Sequence, residues 1–169
     1  MARVKAQRYT FSYQEPIPVE QLVESLCDTK QSHTQFGGLR PFGVSFMFAG
    51  WDKKYGFQLY KSDPSGNYEG WKAAAIGANK NEAKSILMQD YKDEITREEA
   101  VELALKVISK TMDSTSLTSD KLELAEVYLS SGKVKYQVSS SSSLGELLVK
   151  FGLTQPAADQ ATSSSSSLG

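Results

Sequence analysis

Alternation of apolar and polar positions is most regular between residues 44 and 76. Val44, Phe46 and Phe48 fall on one side of an extended segment and Ser45, Met47 and Ala49 on the other, which predicts a strand over Val44–Ala49. The polar run Gly50–Gly56, bounded by glycines, reads as a hairpin loop. Phe57–Ser62 is strand-like again, with Phe57 and Leu59 opposite Gln58 and Tyr60. Asp63-Pro64-Ser65-Gly66 is a turn signal: proline presets its own φ, Asp63 can accept bonds from the chain ahead, and Gly66 tolerates unusual dihedrals. A third strand is expected over Tyr68–Ile76, closed by Gly77. Short loops between these strands imply antiparallel pairing.

Helical periodicity flanks this stretch. Met1–Tyr13 is short and polar, and its first residues read as the last turns of a helix. Glu15-Pro16-Ile17-Pro18 is extended, because a proline disfavours helix for the residue before it. Pro18 suits a first helical turn, and Val19, Leu22, Val23, Leu26 and Cys27 then form one apolar face, with the helix ended by Gly37-Gly38. Lys30 falls late in this helix, where a cation complements the dipole. Downstream, a helix capped by Asn79 or Asn81 is expected through Tyr91, with Ala83, Ile86, Leu87 and Tyr91 inward. Thr96-Arg97-Glu98-Glu99 is a capping box, followed by a stripe of Val101, Ala104, Leu105, Ile108 and Met112.

Asp113–Asp120 is a Ser/Thr-rich connection. Two strands are expected over Leu122–Leu129 and Val134–Val138, joined by the hairpin Ser130-Ser131-Gly132-Lys133. The heptapeptide SSSSSLG occurs at Ser139–Gly145 and again at Ser163–Gly169, around a short helical candidate, Glu146–Phe151. Both copies read as flexible low-complexity sequence, with phosphorylatable serine clusters as the functional alternative. Helices in groups and antiparallel strands make the fold class α+β.

Composition changes this picture little. The chain of 169 residues is long enough for one domain with a core. Its 40% hydrophobic and 23% charged residues are those of a globular protein, and a net charge of −1 gives no reason to expect a nucleic acid or membrane partner. No apolar run approaches the roughly 20 residues that cross a bilayer. The basic N-terminus lacks the apolar centre of a secretory signal. Cys27 is the single cysteine, which precludes an internal disulfide and fits a reducing compartment, cytosol or nucleus.

Candidate chemistry resolves into structural roles. His33 has no cysteine or carboxylate at a ligand spacing and reads as a surface or cap histidine. Cys27 lies on an apolar helix face and reads as a buried small residue, since a nucleophilic thiol needs an accessible, electropositive setting. Asp63 reads as the organiser of its turn. Trp51 and Trp71 read as core or interface aromatics, and Glu98, Glu99 and Glu102 as the acidic start of a helix. The glycines between Gly37 and Gly77 match no phosphate-binding pattern. No nucleophile, base and oxyanion site come together, so no catalytic residue, cofactor or metal is expected.

The motifs RPFGVS, GWD and YKSDPSGNYEGWKAAAIG resemble the central segment of proteasome alpha-type subunits, and a tyrosine, two residues, then DPSG is characteristic of alpha rather than beta subunits. RVKAQRYTFSYQEPIPVEQLVESLCDTKQSHTQFGG, GWDKKYGFQLY, IGANKNEA, Met88–Lys92 and Lys110–Asp113 continue the likeness, and GLTQPAA at 152–158 resembles the tail of plant members. The resemblance implies a four-layer αββα sandwich shared with N-terminal nucleophile hydrolases, with the first strands and N-terminal helix of the family domain falling before Met1. It implies a truncated subunit domain over 1–138 and Ser-rich segments with a short helix over 139–169. It also implies a non-catalytic structural subunit, or fragment, of the alpha ring of the 20S core, in ubiquitin-dependent protein degradation. A threonine hydrolase of the same superfamily would need a freed N-terminal threonine, and none follows a processing glycine here. A free-standing interaction module outside the ring is the alternative. Expected partners are neighbouring alpha and beta subunits, with a regulatory particle or assembly chaperones beside them, in cytoplasm and nucleus. Gating and activator-docking residues of the family have no counterpart in this sequence.

Overall fold

A computed structural model describes residues 1–112 and 117–153. The chain divides into two compact units, Met1–Lys80 and the residues from Asn81 on. Both combine helices with antiparallel strands, so the fold class is α+β as expected.

The first unit opens with α1, Ala2–Tyr13, in the place where helical turns were expected. It stops at Gln14, which is left-handed (φ 57°) and whose N–H closes onto the Thr10 carbonyl. Helix α2, Val19–Gln35, follows the extended Pro16–Pro18 link, with Pro18 as its N-cap rather than its first helical residue. Proline offers no side-chain cap, and the first free N–H, on Val19, is instead taken by the Asp52 carboxylate at 3.2 Å. Val23, Leu26, Cys27 and Lys30 form the buried stripe, and each large apolar side chain there contributes about 1.5–3 kcal/mol. Lys30 was expected only as a cation late in the helix, and the structure adds that it faces inward. It sits three residues after Cys27, on the buried side. The helix ends when Phe36 turns extended, one residue ahead of the glycines expected to end it.

Strands β1 (Phe46–Asp52), β2 (Gly56–Ser62) and β3 (Tyr68–Gly70) form an antiparallel sheet in that order. The first strand runs three residues further than expected and the loop shrinks to Lys53–Tyr55. Two observations explain this. Asp52 accepts from the N–H groups of Lys54 (3.0 Å) and Tyr55 (2.8 Å), closing the turn tightly. Gly50 belongs mid-strand, because a Cβ there would lie 2.8 Å from Val19 Cγ2, and its absence lets the N-terminus of α2 approach the sheet. The third strand is shorter than expected. After Trp71, whose N–H donates to Leu59 O (2.8 Å), the chain leaves the sheet along Ala73–Ala75, small residues with little to pack on a pleated surface.

The second unit contains α3 (Lys80–Asp90), α4 (Arg97–Thr111), the hairpin β4 (Ala125–Ser130) and β5 (Lys133–Val138), and α5 (Ser141–Lys150). The capping box forms as expected: Thr96 accepts from the Glu99 N–H, and Glu99 accepts from the Thr96 N–H at 2.8 Å. The apolar stripe of α4 differs. Leu103, Leu105 and Val107 are buried, whereas Ala104 and Ile108 are exposed. This helix carries apolar residues on several sides, so periodicity alone does not select its inner face. At the hairpin, Ser131 (φ 51°) and Gly132 (φ 74°) supply two positive-φ residues, the primed turn that suits strand twist.

Leu105, Leu117, Leu144 and Leu148 form the core of this unit, with Leu122, Leu124 and Phe151 packed around it. Leu122 and Leu124 thus reach the core from irregular chain ahead of β4 rather than from a strand. The first SSSSSLG copy is not flexible sequence. Ser140 caps α5 by accepting from Ser143 N–H, and Leu144 is 1% exposed in the core. Serines suit the cap and first turn, and a single deeply buried leucine fixes them there. The second copy, Ser163–Gly169, most of GLTQPAA and residues 113–116 lie outside the described residues.

Candidate functional site

The greatest concentration of reactive side-chain types lies where α2 crosses the three-stranded sheet. Helical spacing puts Cys27 and Lys30 on the sheet-facing side of α2, and the register Phe46↔Ser62 puts Phe46 and Ser62 on one face of adjoining strands. The Lys30 ammonium donates to Ser62 Oγ (2.9 Å), Asp63 O (2.9 Å) and Val44 O (3.1 Å), and lies 4.3 Å from the Phe46 ring centroid. Burial lowers the Lys30 pKa, against the pull of the Cys27 and Asp63 charges. Burial likewise pushes the Cys27 thiol up, opposed by the Ser62 bond and the Lys30 charge.

A hydroxyl in contact with a lysine whose pKa is lowered has the composition of a serine–lysine nucleophile. Access decides against it. Ser62 is 0% exposed, and Lys30 and Cys27 are each 2% exposed. A substrate carbonyl has no route to Ser62 Oγ, and the ammonium uses its three donors on two backbone carbonyls and the hydroxyl. What this arrangement does is mechanical: one cation joins α2 to the chain before β1, to the end of β2 and to the turn after it.

That turn is the second part of the site. Asp63 Oδ1 accepts from Ser65 Oγ (2.6 Å) and from the N–H groups of Ser65 (2.9 Å), Gly66 (3.1 Å) and Asn67 (3.1 Å). The Ser65 hydroxyl foremost, with the Asn67 and backbone donors, holds the Asp63 carboxyl below the usual carboxylate range. Gly66 has φ 98°, and a Cβ there would meet Cys27 O at 2.6 Å and Gln31 N at 2.9 Å. The turn therefore needs glycine twice, for its dihedral and for its contact with α2.

Asp52 is the third part. Beyond the bonds that close its own turn, its Oδ2 accepts from Gln58 Nε2 (2.6 Å) and Val19 N (3.2 Å). Burial raises its pKa, but the bonds from Gln58, Tyr55, Val19 and Lys54 outweigh this and hold the carboxyl low.

The remaining sequence candidates are dispersed. The His33 ring Nδ1 lies 3.3 Å from Arg40 O and the ring packs on Phe42. Glu99 serves the capping box, while Glu98 and Glu102 are exposed. Trp71 lies under the Lys61 ammonium, and Trp51 is half-buried. Among the described residues no group of three or more His, Cys, Asp or Glu side chains could hold a metal ion. Lys30, Ser62 and Asp52 went unread as functional in the sequence. Lys30 did leave a signal, a cation on the i+3 and i+7 positions of an apolar stripe.

These motifs place the chain among known proteins. The family described as "Proteasome subunit" matches residues 1–127. Proteasome subunit alpha type-4 of Petunia hybrida is 77% identical over 159 residues, covering 94% of this chain and 64% of the relative. The spinach protein of the same name (Spinacia oleracea) is 79% identical and alpha type-4-A of Arabidopsis thaliana 78%, each over 159 residues with the same coverage of both chains, 94% and 64%. The chain thus spans less than two thirds of the length of these curated relatives. With a match over most of its residues and the DPSG turn, GWD hairpin and QEPIP link in place, the chain belongs to the proteasome subunit family.

Proposed function

We propose that this chain serves as a non-catalytic structural subunit, or fragment of one, in the alpha ring of the 20S core proteasome, in ubiquitin-dependent protein degradation. The observation that carries this reading is the 77% identity to an alpha type-4 subunit over 94% of the chain. Its partners are neighbouring alpha and beta subunits, with a regulatory particle or assembly chaperones beside them, in cytoplasm and nucleus. The subunit domain is assigned to 1–138, followed by a Ser-rich segment over 139–169 whose helix α5 packs Leu144 and Leu148 against Leu105.

Two structural features support the reading. The cluster of Lys30, Ser62 and Cys27 is sealed and engaged in holding α2 to the sheet. On the sheet face away from α2, Met47 (43% exposed) and Phe57 (56% exposed) leave apolar surface of the kind that assemblies cover. No helix among the described residues is long and apolar enough to cross a membrane.

Sedimentation of tagged chain from cell extract tests ring membership. Co-migration with the large core particle is expected, and a small free species alone would overturn it. Purified chain should leave fluorogenic peptides uncut. Cleavage blocked by a threonine-directed inhibitor would overturn the non-catalytic assignment.

A further inference from the structure

We propose that the Asp63–Pro64 peptide bond is a latent self-cleavage site: the fold polarises its carbonyl through Lys30 and withholds the Asp63 carboxylate that would attack it. Every group concerned lies within one turn or on the α2 residues packed against it, whatever assembly the chain joins.

Asp63 and Pro64 form the only Asp–Pro pair in the sequence. An aspartate side chain can reach its own backbone carbonyl and close a five-membered ring, an intramolecular attack that needs no outside nucleophile. Proline favours the step, because its nitrogen carries no N–H and departs as a secondary amine. Pro64 and Ser65 are exposed in this chain, so solvent can supply the proton and the water consumed. Attack forms a bond from a carboxylate oxygen to the Asp63 carbonyl carbon and moves an electron pair onto Asp63 O. Collapse breaks the bond to the Pro64 nitrogen, which takes a proton from solvent, and leaves a cyclic anhydride. One water opens the ring, giving Asp63 as a free C-terminus and Pro64 as a free N-terminus.

The fold supplies one half of this chemistry and suppresses the other. Asp63 O, where negative charge would develop, accepts from Lys30 Nζ at 2.9 Å and from the Gly66 N–H at 3.3 Å. Donors so placed stabilise an oxyanion, and a buried ammonium does so more strongly than water. The carboxylate, by contrast, is occupied. Its Oδ1 holds four donors from Ser65, Gly66 and Asn67, and its Oδ2 accepts from Asn67 Nδ2 at 3.3 Å. These bonds direct the carboxylate at the chain ahead and engage the lone pairs that attack requires. The titratable groups acting on Asp63 from α2 are Lys30 and Cys27, and Lys61 and Glu69 line the hollow beside it.

Incubation of the full chain at about pH 4, near the ordinary aspartate pKa, tests this, with fragments ending at Asp63 and beginning at Pro64 measured by mass spectrometry. A synthetic peptide over 60–70 gives the rate for an unrestrained carboxylate. The folded wild type should cleave at least about tenfold more slowly than that peptide. Ser65→Ala combined with Asn67→Ala removes side-chain donors from the carboxylate, leaves Lys30 in place, and should speed cleavage about tenfold over wild type. Lys30→Met added to that pair should slow it again about tenfold, since methionine keeps the stem and offers the oxyanion no donor. A wild type that cleaves as fast as the peptide would overturn the proposal, as would a double variant no faster than wild type. A triple variant that cleaves as fast as the double one would overturn the part assigned to Lys30.

Discussion

Lys30 and Lys5 each place an ammonium among three oxygen acceptors, none of them a carboxylate, yet their surroundings differ. Lys30 is 2% exposed, bonded to groups 14, 32 and 33 residues away and backed by the Phe46 ring. Lys5 is half-buried and bonded to two residues of one helix, 20 and 24 positions on. The same functional group therefore closes three separate segments in one place and fastens a single helix in the other. The difference shows that the donor count of a lysine says little about its structural weight. What matters is how many distant segments converge on it and how much apolar surface is buried with them. Lys30 works beside a packed stripe, whereas Lys5 works almost alone.

The largest effect should come from the turn that Lys30 holds. Gly66→Val combines a β-branched residue at φ 98° with a Cβ against Cys27 O, and should destabilise the chain by about 3 kcal/mol or more. Thermal melting measures this, and an unchanged midpoint would remove the turn from the comparison. Next comes Lys30→Met, which retains the stem but strands the Ser62 hydroxyl and two carbonyls. A loss of about 1–3 kcal/mol in denaturant unfolding is expected. A neutral or stabilised variant would mean that relief of ammonium burial outweighs the lost bonds.

Acid should act through the carboxylates of the same region. Asp52 and Asp63 both titrate below the ordinary aspartate value when folded. As pH falls the unfolded chain binds protons first, so their contribution is complete above about 3.9 and is lost as pH drops through the lowered folded values. Asp63→Asn removes one of these titrations and should flatten the acid limb of a stability–pH curve. An acid limb as steep as that of the wild type would show that Asp63 plays no part in it. The smallest global effect belongs to Lys5→Met, within about 0.5 kcal/mol of wild type by the same unfolding assay. A loss matching that of Lys30→Met would erase the distinction between the two lysines.

Much of this was legible along the chain because it is encoded by neighbours. The α2 stripe from Val23 to Cys27, the Thr96–Glu99 capping box, the Asp63–Gly66 turn and the Ser131-Gly132 hairpin all appear where local pattern placed them. Each depends on residues within a few positions of one another, so spacing alone specifies the geometry. The motifs of the family are legible for the same reason, being contiguous. Ser62 and Lys30 show that reactive types can adjoin without being reachable.

Where the pattern misled, the deciding partner was far away in sequence. Gly50 looked like a loop boundary, but Val19 makes it a strand residue that must lack a side chain. The Ser139–Gly145 run looked unstructured, but Leu144 meets Leu105 and Leu117 and carries the serines into a helix. On α4 the expected Val101 and Leu105 do meet the core, but Leu103 and Val107, outside the expected stripe, are buried as well.

By itself, then, the sequence determined most of the element types, the turn chemistry and the family, because these follow from local spacing. Tertiary structure alone decided that Lys30 goes inside while Lys5 remains half out, that Asp52 caps a helix 33 residues before it, and that Gly66 lies against α2. Those outcomes depend on which acceptors and surfaces converge once the chain is folded, and no local pattern carries that information.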